Sequence, residues 1–343
     1  MENFFIGIDV SKETIDVSCY NPSHMSSPEY VGEYKNQPSG YRTMVKDLRA
    51  YCGGISAGQW LLCCETTGVY DHNLCKWVCG KGMFIWRENA LQINKSVGVR
   101  RGKDDKTDSL MITDYASRHR DKAVRYELPS PALSALKQLY TYRRALVSTR
   151  TAIKSRLSSA KLVKDSQVSR FITKDLERQI RSIDSCIKNC ETKIREVIDS
   201  DDKIRKNFLL ITSMKGVALV NAVAMIVFSG NFINVPTANK LACVAGCAPF
   251  RKKSGTSIDK RSDVKKLSNR DFKGVMSMAA VLSIRYDKSL RDYAERLREK
   301  GKPEAIIKNN VRNKLIHRAY ALVRNECYYD ENHVYAQNVS LRN

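Results

Sequence analysis

The run Phe4-Phe5-Ile6-Gly7-Ile8-Asp9-Val10 constrains this chain more than any other stretch. Five large apolar residues and one Gly read as a strand buried on both faces. A single carboxylate sits near its end. Burying an unpaired charge is costly, so packing gives Asp9 no reason to be there. The expectation is that Asp9 is the first ligand of a metal site and that later segments supply the rest.

After a turn at Ser11-Lys12-Glu13, residues 14–20 alternate. Ile15, Val17 and Cys19 share one side, and Thr14, Asp16 and Ser18 the other, the pattern of a half-buried antiparallel strand with Asp16 solvated. Tyr30 to Lys35 reads as a third strand. A helix follows Pro38. Trp60 to Cys64 is another buried strand, ending in Glu65. A helix carrying Cys75, Trp77 and Val78, a strand at Met83 to Trp86, and a helix beginning near Asp104 complete residues 1–125. Leu139, Leu146, Ile153 and Ala160 then recur every seven residues, as do Leu176, Ile183, Cys190 and Val197. Such stripes predict a coiled-coil arm over 126–205, an antiparallel hairpin or an intermolecular coil, with Arg143 and Arg150 interrupting the seam. Residues 206–330 read as a helical domain closed by two long helices, about 270–300 and 303–326. Residues 331–343 read as a tail, with poor order expected from Tyr328.

Charge is distributed unevenly. Residues 1–125 hold 17 basic and 15 acidic side chains, residues 126–205 hold 17 and 10, and residues 206–343 hold 25 and 11, within a formal net charge of +23. A basic excess outside the segment holding Asp9 is the footprint of nucleic-acid binding. No apolar run reaches the roughly 18 residues of a membrane span. Without a secretory leader pattern, a cytoplasmic protein is expected. The 11 cysteines include no Cys-x-x-Cys pair and read as reduced core residues.

Four carboxylates form a constellation. Asp9 and Glu65 end strands, and Asp105 and Asp108 share one helix face at i and i+3. Such a set can hold two hard divalent cations about 4 Å apart, the arrangement that activates one oxygen and stabilises another across a phosphodiester. Further on, Met214-Lys215-Gly216-Val217 is an apolar–Gly–apolar turn between helical stretches, able to present helix N-terminal amides to a phosphate. The segment 251–262 is polar and basic, with Lys252, Lys253, Lys260 and Arg261 around Ser254 and Gly255.

Three motifs carry a resemblance: Gly7-Ile8-Asp9-Val10-Ser11-Lys12, Cys64-Glu65-Thr66-Thr67-Gly68-Val69-Tyr70, and Lys103-Asp104-Asp105-Lys106-Thr107-Asp108. With Ala245-Gly246-Cys247-Ala248-Pro249 and Lys253-Ser254-Gly255, the chain resembles the DEDD transposases of insertion-sequence family 110 and its 1111 branch, the Piv/MooV-type recombinases. The resemblance implies an α/β plus α fold. Its parts would be a RuvC-like, RNase H-type domain, a coiled-coil hairpin, and a C-terminal transposase domain with a helix-hairpin-helix-like element. It implies a Mg²⁺-binding tetrad at Asp9, Glu65, Asp105 and Asp108, and a nucleophilic serine at Ser254. The reaction implied is site-specific DNA strand exchange through a covalent 5′-phosphoserine. A structured non-coding RNA would guide target and donor choice, and a homodimer would assemble into a synaptic tetramer. Such an enzyme would be nucleoid-associated when acting. Two departures stand out: family members usually carry Pro-Gly-Ile-Gly where this chain has Met214-Lys215-Gly216-Val217, and a downstream Gly and Leu-Arg are replaced near Ser268 and Phe272-Lys273. Thr256, Ser257 and Ser262 are competing hydroxyls. A metal-dependent, junction-resolvase-like nuclease with no covalent intermediate is the alternative, and a non-catalytic nucleic-acid-binding remnant a third reading.

Overall fold

The structure, a computed structural model, describes residues 4–66, 68, 70–96, 105–162, 167–248, 250–254, 258–262 and 268–331, the side chains of 250–254 and 258–262 excepted. The chain divides into two compact units, Met1–Leu128 and Pro129–Asn343.

In the first unit, β1 (Phe4–Val10), β2 (Thr14–Tyr20), β3 (Glu29–Lys35), β4 (Trp60–Glu65) and β5 (Phe84–Glu88) form one sheet in the order β3-β2-β1-β4-β5. β1 is antiparallel to β2 and parallel to β4, and β4 is parallel to β5. The helices are α1 (Pro38–Leu48), α2 (His72–Gly80), α3 (Ala90–Ser96) and α4 (Asp105–Arg118). Strand parity sorts them onto two faces. Phe4, Ile6, Ile8, Ile15, Val17 and Cys64 share a core with Tyr41, Met44 and Leu48 of α1 and Leu74 and Cys75 of α2. Phe5, Cys63 and Trp86 point the other way, into a core with Ile93 of α3 and Ile112, Tyr115 and Ala116 of α4.

β1 is buried on both faces, as its sequence requires. β2 departs from its expected half-burial: all five of its central residues are buried. Ser18 and Asp16 lie on the α4 face, and polar groups tie them down there. Ser18 Oγ and Ser109 Oγ are 2.5 Å apart, and Tyr30 Oη donates to Asp16 Oδ1 at 2.7 Å. Asp16 is therefore hydrogen-bonded and 6% exposed, not solvated.

Among its described residues, the second unit is helical apart from one hairpin. Its elements are α5 (Pro131–Ala160), α6 (Gln167–Asp199), α7 (Asp202–Thr212), α8 (Leu219–Ser229), α9 (Ala238–Val244), β6 (Phe250–Ser254), β7 (Ile258–Ser262), α10 (Arg270–Tyr286), α11 (Lys288–Glu299) and α12 (Glu304–Asn325). α5 and α6 run antiparallel. Arg143 meets Glu191 at 2.7 Å, Arg150 meets Asp184 at 2.8 Å and Lys161 meets Glu177 at 3.0 Å, so the residue numbers fall on one helix as they rise on the other. The two arginines that interrupt the apolar seam thus bridge the helices. At the base of this pair, Leu133, Leu136, Ile194 and Ile198 join one core with α7, α8, α10 and α12.

The single helix expected over 270–300 is two, broken at Asp287. That carboxylate is 1% exposed and caps α11, accepting from Leu290 N at 2.9 Å, while Arg318 Nη1 and Tyr329 Oη donate to its other oxygen. The side chain competes with the backbone for hydrogen bonds and ends α10. The expected disorder from Tyr328 is also corrected as far as Glu331. Tyr329 N donates to Ser213 Oγ, and Glu331 pairs with Lys215. Residues 332–343 lie outside the described residues.

Candidate active site

The site is made by how closely α4 can approach β1. On the α4 face of β1 the residues are Phe5, Gly7 and Asp9, in alternation. A Cβ on Gly7 would overlap Thr113 N, Thr113 Oγ1 and Ser109 O, so only Gly lets the helix lie this close. Gly7 N donates to Thr113 Oγ1 at 2.9 Å, a bond that fixes the helix against the strand. One pleat beyond Gly7 is Asp9. On the helix, the turn before Ser109 and Thr113 carries Asp105 and Asp108.

The outcome is a carboxylate cluster. Oxygens of Asp9, Asp105 and Asp108 lie within 4.8 Å of one another. Asp9 and Asp108 are half-buried and Asp105 is exposed. Ile8 is paired with Cys64, so the next residues of these parallel strands, Asp9 and Glu65, lie side by side at the same end of the sheet. Parity puts both on the α4 face. Burial, followed by the charges of Asp108, Asp105 and Glu65, pushes the Asp9 carboxyl up to about 6. Like charges crowd together here without a basic partner among the causes acting on Asp9. Hard oxygen donors in a confined, repulsive group fit a divalent cation, which would relieve that repulsion.

Two further acids face α4 that the motifs do not mark. Asp16 is the antiparallel partner of Asp9. Glu88 is paired with Glu65 and accepts from Tyr115 Oη at 3.2 Å. Strand parity puts both on this face, but the cover that α4 gives it is not visible in the local pattern. A second close group, Cys64, Asp71 and Cys75, is a packing feature. The Arg87 guanidinium holds both oxygens of buried Asp71, Nη2 to Oδ1 at 2.9 Å. A hydrogen bond with Cys75, then burial, holds the Cys64 thiol well above the usual range.

The sites expected in the second half fall as follows. Ser254 ends β6, opposite Ile258 of β7; Lys252 is opposite Lys260, and Arg251 is opposite Arg261. Thr67, Val69, Lys103, Asp104, Gly255, Thr256 and Ser257 lie outside the described residues. Gly216 adopts φ +87° between α7 and α8, pressed against Ser283 of α10, whose hydroxyl donates to Lys215 O at 2.8 Å. The Lys215 ammonium pairs with Glu331.

Residues 6–162 match the family model of the IS110 DEDD transposase domain, described as a transposase. Residues 209–295 match a second model, described as the transposase IS116/IS110/IS902 family. The chain belongs to the IS110 family of transposases. It is similar to the pilin gene-inverting proteins of Moraxella bovis and Moraxella lacunata, at 24% and 23% identity over 339 residues, 96% of this chain and 99% of each relative. It is also similar to an insertion element IS110 uncharacterized 43.6 kDa protein of Streptomyces coelicolor, at 32% identity over 121 residues, 35% of this chain and 30% of that one. This IS110 transposase is a DNA recombinase/transposase, and its acidic cluster falls inside the DEDD match. No helix among its described residues is long and apolar enough to cross a membrane.

Proposed function

We propose that this transposase exchanges DNA strands through a covalent phosphoserine on Ser254, assisted by a Mg²⁺-binding tetrad of Asp9, Glu65, Asp105 and Asp108 in a RuvC-like N-terminal domain. The observation that carries the metal half is the meeting of Asp9, Asp105 and Asp108 within 4.8 Å, on the sheet face that Glu65 shares. The sheet order β3-β2-β1-β4-β5, antiparallel on one side of β1 and parallel on the other, supports the RuvC-like reading. Bound there, Mg²⁺ would supply positive charge to a phosphate oxygen.

The serine half rests on the motif resemblance and on the register of the β6–β7 hairpin. In that register Arg251 and Arg261, then Lys252 and Lys260, are partners in the hairpin that carries Ser254, and this concentration of basic residues suits a phosphate partner. In the proposed step, Ser254 Oγ attacks phosphorus and forms an O–P bond to the 5′-phosphate. The P–O3′ bond breaks, the hydroxyl proton leaves to a carboxylate, and the departing 3′ oxygen takes up a proton. Attack by the 3′-hydroxyl of another strand reverses these changes and restores the diester and the serine. No hydrolysis intervenes, so the bond energy is conserved.

Guidance of target and donor DNA by a structured non-coding RNA, and a dimer assembling to a synaptic tetramer, follow from the family resemblance. The basic excess beyond residue 125 supports a nucleic-acid partner of either kind. A strand-exchange assay tests the whole reading. Ser254→Ala and Asp9→Ala are each expected to abolish recombinant product, whereas Ser262→Ala retains it. Full product formation by Ser254→Ala would contradict the proposal and favour a nuclease acting through the carboxylates alone.

A further inference from the structure

The second unit contains a cavity of about 480 Å³ whose lining includes Lys273 of α10, Lys302, and Asn309, Asn310 and Arg312 of α12. Among the described residues, three cations, two carboxamides and no carboxylate line it. Arg312 is the unusual member. It is 7% exposed, yet it forms no ion pair among the described residues. Nη1 donates to Ser277 Oγ at 3.1 Å and Nη2 to Asn309 Oδ1 at 2.8 Å, both neutral acceptors. Nε is buried and has no hydrogen-bond partner among the described residues. A guanidinium has five donors in a fixed fork, and burying it unpaired carries a penalty of several kcal/mol. Packing does not require that penalty; an anion entering the cavity would repay it.

The cavity also sits at the root of the β6–β7 hairpin. Asn309 Nδ2 donates to Cys247 O at 3.0 Å. At the other root, Asn269 N donates to Val244 O at 2.8 Å. A Cβ on Gly246, at φ +63°, would come within 2.8 Å of Ser268 Cβ and 3.5 Å of Lys273 Cδ. Burial raises the Cys247 thiol at this root, and the nearby charges of Arg312 and Lys273 offset only part of that rise.

We propose that this cavity binds a backbone phosphate of the DNA being recombined, held by Arg312 with Lys273 and Lys302. The proposal rests on the family's action on DNA and is independent of whether Ser254 is the nucleophile. RNA offers the same phosphate, so the test separates the two.

The experiment is fluorescence anisotropy of the full-length protein with a labelled DNA duplex, and with an RNA duplex of the same sequence, across a series of KCl concentrations. Lys273→Gln/Lys302→Gln is the deciding variant, because both residues are exposed and the fold does not depend on them. For DNA, the slope of log affinity against log salt is expected to fall by about one unit, the value of one lost phosphate contact. A control pair on α6, Lys188→Gln/Lys193→Gln, is expected to shift it far less. Arg312→Gln should lower the slope similarly wherever its melting temperature stays near that of the wild type. In the wild type, inorganic phosphate should raise the melting temperature above that in KCl of equal ionic strength, and this gain should vanish in the double variant. An unchanged DNA slope, or an equal fall in the control pair, overturns the proposal. A fall confined to RNA overturns it too, and assigns the cavity to an RNA strand.

Discussion

At the residue scale, the account turns on two neighbours in β1. Asp9 has a folded-state pKa of about 6 against an ordinary value of 3.8. The folded protein therefore holds this proton more tightly than the unfolded chain. The stabilising contribution is fully present below pH 4 and is lost as pH rises through about 6. With the site partly open to solvent, the effect is discounted to about 1–2 kcal/mol. Asp9→Asn should melt higher than the wild type at pH 7 without metal, and the gap should close by pH 4; no gap at pH 7 would mean that Asp9 is not crowded. Mg²⁺ should reverse the order at pH 7 by stabilising only the wild type. Gly7→Ala tests the close approach of α4. In an open strand, Ala would be favoured over Gly by about 0.5–1 kcal/mol. Here the methyl group must displace Thr113 and Ser109, an overpacking cost of about 1–3 kcal/mol. Chemical denaturation should show a net loss, with weakened Mg²⁺ binding.

At the element scale, Asp287 shows how one side chain sets helix boundaries. Burial alone would raise its carboxyl, but hydrogen bonds from Tyr329, Ser289 and Leu290 and the charge of Arg318 outweigh that and lower it. Asp287→Ala removes a cap and takes the buried carboxylate away from the half-buried Arg318, so a loss of about 3–5 kcal/mol is expected in urea denaturation. Asp175→Ala, removing a solvent-screened surface pair with Arg178, should leave the urea midpoint close to that of the wild type. Equal effects would contradict the structural role given to Asp287. The break at Asp287 was not legible in the sequence, because the apolar spacing of Phe272 to Leu290 runs on across it and the partners Arg318 and Tyr329 are distant in the chain. The strands were legible, since parity needs only neighbours. Ile15, Val17 and Cys19 do share a face. What parity could not show is that α4 covers the opposite face, which turns Ser18 and Asp16 from surface into interior. The seam arginines Arg143 and Arg150 looked like defects for the same reason: their partners, Glu191 and Asp184, lie on the other helix.

At the scale of the whole molecule, the two compact units should unfold as two calorimetric transitions. Asp9→Asn should move one and Asp287→Ala the other; a single transition moved by both would contradict that division. The near-neutral charge of the first third and the basic excess of the rest were readable in composition, and so was the order of the acidic motifs. The environment of the Arg312 guanidinium was not, since only the fold reveals that this arginine is buried with no carboxylate partner among the described residues. The proposed strand exchange turns on covalent chemistry at Ser254. The direct measurement is a denaturing gel of the full-length protein incubated with Mg²⁺ and end-labelled recombination-site DNA. The expected result is a protein–DNA adduct that survives denaturation, carries the 5′-phosphate side of the break, leaves a free 3′-hydroxyl, and is absent in Ser254→Ala. Cleaved DNA without any adduct, or an adduct that persists in Ser254→Ala, would contradict it.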